Sequence, residues 1–130
     1  MNTIANCSFN NNTIHIEFDD NGMAWFRVYE IAKALGCKRI GRKAMIKQLL
    51  DFEKRKATIH KCRNVQESVL VNEYGLQRLL INISHFTNHS LLLKFQNWMF
   101  YEILPRVDRY STFLKVRDKE TLSSISELNM

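Results

Sequence analysis

Proline occurs once and glycine four times in the 130 residues, so no Pro/Gly linker divides the chain, and its length fits one folded domain. Cysteine is limited to Cys7, Cys37 and Cys62. An odd number at wide spacings supports neither a disulfide framework nor a zinc ribbon, and the expected setting is a reducing, intracellular one. Long apolar runs are missing as well. Lys94, Gln96 and Glu102 interrupt the longest, which falls well short of the ~18–20 residues of a membrane span, and residues 1–5 lack the charged and apolar parts of a secretory leader. The chain is therefore expected neither to cross a membrane nor to be secreted by an ordinary signal. Constellations for chemistry are also scarce. His85 and His89 stand four apart without a third ligand, Cys62 neighbours His60 on a β-prone segment, and Asp19-Asp20 falls in turn-forming sequence. No metal, cofactor or catalytic group is expected, and the chain is read as a binding protein, not an enzyme.

What the chain has is an ordinary folded composition, 45% apolar and 25% charged, with an uneven distribution of charge. Residues 33–63 hold 11 Lys/Arg against only Asp51 and Glu53, whereas the remainder holds 8 basic and 11 acidic side chains. The net charge of +6 therefore conceals a strongly cationic segment in a slightly acidic body. Clustered cations displace the counterions condensed on a polyanion, the main source of sequence-independent affinity for nucleic acid.

The hydrophobic pattern sets the elements. After a polar lead-in at Asn10-Asn11-Asn12, Ile14, Ile16 and Phe18 alternate with polar residues as in a half-buried strand; Asp19-Asp20-Asn21-Gly22 is a turn signal, and residues 23–28 form the returning strand of an opening hairpin. Trp25 and Phe26 point to opposite faces of that strand, and Trp25 is taken as the packing residue. A short helix covers 29–35, with Glu30 near its N-terminus and Gly36 as its C′ residue. Gly41 marks a second break before a basic amphipathic helix carrying Met45, Ile46, Leu49 and Leu50. Residues 58–62 and 68–71 form a second hairpin or wing around a linker at 63–67. Asn72 caps a helix from Glu73 to about Ile83, with Tyr74, Leu79, Leu80 and Ile83 on its apolar side. Thr87 to Ser90 offer caps for a long helix whose buried stripe is Leu91, Leu92, Phe95, Trp98, Met99 and Ile103, and which Pro105 should end. Phe100 and Tyr101 fall outside that stripe and are candidates for a homodimer contact. Residues 111–130 form a polar, partly helical tail.

In the order Trp25-Phe26, residues 30–36 (Glu-Ile-Ala-Lys-Ala-Leu-Gly), residues 71–76 (Val-Asn-Glu-Tyr-Gly-Leu), residues 95–98 (Phe-Gln-Asn-Trp) and Ile103-Leu104-Pro105, the chain resembles the BRO family N-terminal (Bro-N) domain of large insect DNA viruses and phage antirepressors. The resemblance covers residues 4–110. Residues 106–110 lack the glycine that members carry there. The resemblance implies an α+β domain that binds DNA, used by viruses and phages to influence transcription, replication or host chromatin, without a catalytic site.

Within a helix, turn, helix arrangement, the N-terminal side chains of the second helix meet base edges while flanking cations hold phosphates. Arg39 and Arg42 are the candidates for base reading, because a guanidinium bonds guanine O6 and N7 together. Lys38 and Lys43 lie beside them. Lys47, Lys54, Arg55, Lys56, Lys61 and Arg63 are candidate phosphate contacts, the last two on the wing. The connection from Leu35 to Arg42 is longer than a tight helix-turn-helix turn. The competing readings are a solvated basic face and an antirepressor-like module that docks an acidic host or viral protein. RNA remains an alternative to DNA.

Overall fold

A computed structural model describes residues 3–61 and 63–112; Cys62 and the 113–130 tail lie outside it, as do residues 1–2 and the side chains of residues 3, 39, 40 and 59–61. The elements are β1 (Thr3–Phe9), β2 (Asn12–Phe18), β3 (Ala24–Arg27), α1 (Val28–Ala34), α2 (Arg39–Lys47), a 3-10 turn (Asp51–Glu53), β4 (Lys54–Lys61), β5 (Asn64–Val71), α3 (Glu73–Ile83) and α4 (His89–Trp98). Helix α4 continues through a π-turn (Met99–Ile103) into helical residues 104–112. The strands make one antiparallel sheet in the order β1-β2-β3-β5-β4, so the fold is α+β with a hairpin at its N-terminal end, as expected.

That first hairpin is β1–β2, one strand earlier than the periodicity suggested. Asn10 and Asn11 are not a lead-in but its two-residue tip, at φ of 48° and 66°. Asparagine tolerates this left-handed region, and a turn with two positive φ values matches the twist of paired strands. At the β2–β3 turn the Asp19 carboxylate accepts the Asn21 and Met23 N–H groups at 2.9 Å and the Trp25 indole N–H at 3.0 Å. Ile14, Ile16, Phe18, Phe26 and Val71 face the helices and join Ile31, Leu35, Met45, Leu76, Leu79, Ile83, Phe95 and Met99 in one core. Phe26, rather than Trp25, is the core residue of β3. Trp25 is also buried, but outside that core, beneath the Arg55 guanidinium 4.7 Å away.

Strand β3 is short, and this shapes the rest. It pairs only with residues 16–18 of β2 and 70–71 of β5, so beyond Phe26 the hairpins β1–β2 and β4–β5 have no strand between them. Helix α1 packs into this gap against both. Its Glu30 carboxylate accepts the His15 backbone N–H at 2.7 Å, in place of a strand neighbour.

Gly36 takes φ 68° as the C′ residue of α1. Gly41 is not a break: it lies inside α2, where a Cβ would come within 2.9 Å of the Phe86 ring and 3.1 Å of Cys37 Sγ. Its role is close packing, and the α1–α2 connection shortens to residues 35–38. The wing is likewise tighter than expected, with β4 and β5 in register from Lys54↔Val71 to Lys61↔Asn64.

Asn72 does cap α3, accepting the Gly75 N–H at 2.9 Å while donating to Phe52 O at 2.9 Å. A Cβ on Gly75 would meet Glu53 O at 2.6 Å, which is why the first turn of α3 holds a glycine despite its low helix propensity. Leu76 fills the apolar side of α3, and Tyr74 is exposed instead. Asn88 caps α4 through the Ser90 and Leu91 N–H groups. Pro105 does not end the helix. The π-turn just before it widens the backbone ring, which relieves the clash and missing donor that proline brings to an α-helix. Phe95 and Trp98 pack on Phe9 at 5.1 and 5.2 Å between ring centroids; Phe100 packs partly into the core, and Tyr101 is exposed.

Candidate nucleic-acid interface

Helix α2 buries Gly41 and Met45, so its outer side is left to the i, i+4 pair Lys43 and Lys47. Both are exposed, as is Lys38 at the N-cap position. Arg39 opens the helix. Arg42 turns toward α1 and lays its guanidinium 5.0 Å from the centre of the Tyr29 ring. Lys54 lies against the end of α2, its Nζ donating to Ile46 O at 3.4 Å, a favourable place for a cation because carbonyls and the negative end of the helix dipole meet there.

On the wing, one residue of register decides direction. Lys54 and Lys56 stand opposite Val71 and Val69, on the helix side of the sheet, while Arg55 stands opposite Leu70 on the other side. Lys61 ends β4 and Arg63, exposed, precedes β5. Of the ten candidate cations, Lys38, Arg42, Lys43 and Lys47 therefore share the α2 surface, Lys54 and Lys56 lie on the helix side of the sheet, and Arg55 points away, while the side chains of Arg39 and Lys61 lie outside the described residues.

The arginines on the far side are engaged. Glu17 holds Arg27 Nη2 at 3.4 Å and Arg55 Nη2 at 3.8 Å; Glu30 Oε2 lies 2.6 Å from His15 Nδ1 and 3.9 Å from Arg27 Nη1. Arg27 and Arg55 each keep a buried Nε without a partner among the described residues. A separate pair joins Arg78 to buried Glu53 at 2.8 Å. Burial alone would raise the Glu53 carboxyl, but the Leu50 N–H and the Arg78 guanidinium outweigh it and hold it below the usual carboxylate range. Among the described residues, none of these ion pairs takes up Lys38, Arg42, Lys43, Lys47, Lys54, Lys56 or Arg63.

The gap left by β3 forms a groove of about 700 Å³ between the two hairpins, lined also by α1 and α2. Tyr29, Lys33 and Arg42 line it together with Gln66 to Val69 and Asn11 to Thr13, and His15, Arg27 and Glu30 of the ionic cluster also border it. Neither Tyr29 nor the hairpin tip stood out in the sequence, although Asn10-Asn11-Asn12 carried a turn signal in its tolerance of positive φ. The described thiols are poor nucleophiles. Burial and the nearby Glu30 push Cys7 up to about 11 against the pull of Arg106, and burial raises Cys37 against the pull of Arg42.

An antiparallel sheet packed against helices, with a cationic helix whose lysines meet no carboxylate among the described residues, defines a small α+β domain with an exposed basic surface. The chain belongs to the BRO family: the family's N-terminal domain matches residues 13–105, a span that contains all five motif segments from Trp25-Phe26 to Ile103-Leu104-Pro105. No curated protein and no solved structure matches it. Among the described residues no helix is long and apolar enough to cross a membrane, and no three His, Cys, Asp or Glu side chains gather into a metal-sized group.

Proposed function

We propose that this domain binds nucleic acid, double-stranded DNA in preference, as the DNA-contacting module of a viral or phage-type regulatory protein. The observation that carries this reading is the division of labour among cations. Arg27, Arg55 and Arg78 are matched by carboxylates, whereas Lys38, Arg42, Lys43, Lys47 and Lys56 meet none among the described residues. Unmatched cations on one surface are free to replace counterions on a phosphate backbone. Arg39 and Arg42, at the start of α2, are the base-reading candidates; Lys38, Lys43, Lys47, Lys56, Lys61 and Arg63 are phosphate contacts, with Lys54 beside them. Arg55 serves the sheet.

The test is a titration of duplex DNA, single-stranded DNA and RNA at two or more salt concentrations. With four to six phosphates engaged, log affinity falls with log salt at a slope of about −4 to −5. Affinity that ignores salt, or no binding to any of the three, would reject the reading.

A protein-docking role is the second reading, favoured by the exposed aromatic pair Phe52 and Tyr74, edge to face at 6.3 Å. These rings lie on the 3-10 turn and α3. Replacing both with Ser removes partner capture and spares nucleic-acid binding if this reading holds.

A further inference from the structure

The groove between the hairpins has the wrong dimensions for a duplex and suitable ones for a single nucleotide. Its volume of about 700 Å³ lies within the range of small-ligand pockets. One side offers a stacking platform: Tyr29 is 47% exposed, and the guanidinium of Arg42 already covers part of its ring at 5.0 Å. Aromatic rings and guanidinium planes are the surfaces on which unpaired bases stack, whatever their identity. Strand β5 contributes exposed Gln66 and Glu67, whose side chains alternate across the strand, so that Glu67 shares the helix side of the sheet with Val69 and Val71. A carboxylate accepts from an exocyclic amino group, so Glu67 can meet the amino edge of a base. Exposed Lys33 lies on the stacking side, and Arg42 belongs both to the groove and to the cationic helix, so a strand crossing α2 passes the groove's mouth.

We infer that this groove receives one unpaired nucleotide of the bound nucleic acid, its base stacked on Tyr29, its edge met by Glu67, and its phosphate held by Lys33. The inference rests on the nucleic-acid reading above and adds a discrimination to it: a duplex that presents an unpaired base binds more tightly than a fully paired one.

The experiment compares three duplexes of one sequence. The first is fully paired, the second carries a single bulged 2-aminopurine, and the third carries an abasic site at the bulge. The expected result is about five- to a hundredfold tighter binding of the bulged base than of either control, the range that one base–aromatic stack supplies, with quenching of the 2-aminopurine emission. Tyr29→Ala brings the bulged duplex down to the level of the abasic one, Tyr29→Phe keeps the difference, and Glu67→Ala reduces it. Equal affinity of the wild-type domain for all three duplexes overturns the inference and leaves nucleic-acid binding standing. A preference that survives Tyr29→Ala also overturns it. Failure to bind any of the three overturns both readings at once.

Discussion

The ionic cluster of His15, Glu17, Arg27, Glu30 and Arg55 and the cationic surface of α2 sit on adjoining elements, yet their charges lead different lives. In the cluster each carboxylate faces more than one positive or ionisable partner, and Arg55 also covers Trp25. On α2 the lysines face outward without an anion among the described residues. The first arrangement fixes the chain; the second leaves charge available. A count of basic residues cannot separate these roles, but substitutions can, because those in the first region should register as lost stability and those in the second as lost binding.

The largest effect is expected on the structural side. Gly75→Ala drives a methyl group against Glu53 O and should lower unfolding free energy by about 3 kcal/mol in a denaturant titration. Nucleic-acid affinity of the folded fraction should stay unchanged. Next comes the double reversal Arg42→Glu with Lys43→Glu, which should weaken duplex binding roughly a hundredfold at low salt while the thermal midpoint holds within a few degrees. Unchanged binding would remove α2 from the interface.

A finer test pairs two single neutralisations of equal charge. Lys43→Gln should weaken binding several-fold and reduce the salt slope by about 1. Arg55→Gln should leave slope and affinity alone and lower stability by about 1 kcal/mol through the lost Trp25 contact. Equal effects on binding would erase the distinction between the regions. The mildest test uses pH. Because Glu53 is held below its ordinary value of 4.5, the unfolded chain binds the proton more readily than the folded one. Its contribution is complete above that value and is lost as pH falls through the lower folded one. Melting curves from neutral pH down to about 3 should show this loss, and Arg78→Met should flatten it.

Most of the elements were legible because their periodicity is strong. The alternation of Ile14, Ile16 and Phe18, the cap at Asn72 and the stripe from Leu92 to Ile103 each pair a local pattern with a burial need. Strand β1 was not, because Thr3–Phe9 mixes small, polar and apolar residues without a clear period. Gly41 and Pro105 misled for a common reason: each normally interrupts a helix, and each is accommodated by something distant or irregular, the Phe86 ring in one case and the π-turn in the other. In the candidate site, the concentration of cations was plain from the sequence. Which of them remain unmatched was not, since moving from Lys54 to Arg55 crosses the sheet and only the register assigns the face.

Glu30 gives the sheet a seam. Elsewhere in β2 the amides paired with β3 are held by a ladder in which each bond supports the next, but the His15 amide depends on one carboxylate from a seven-residue helix. Opening at that point needs only a side-chain rotation and no separation of strands, so His15 should exchange its amide hydrogen sooner than Ile16 to Phe18. The fork between the hairpins is thus the place where this otherwise cooperative sheet can breathe without coming apart.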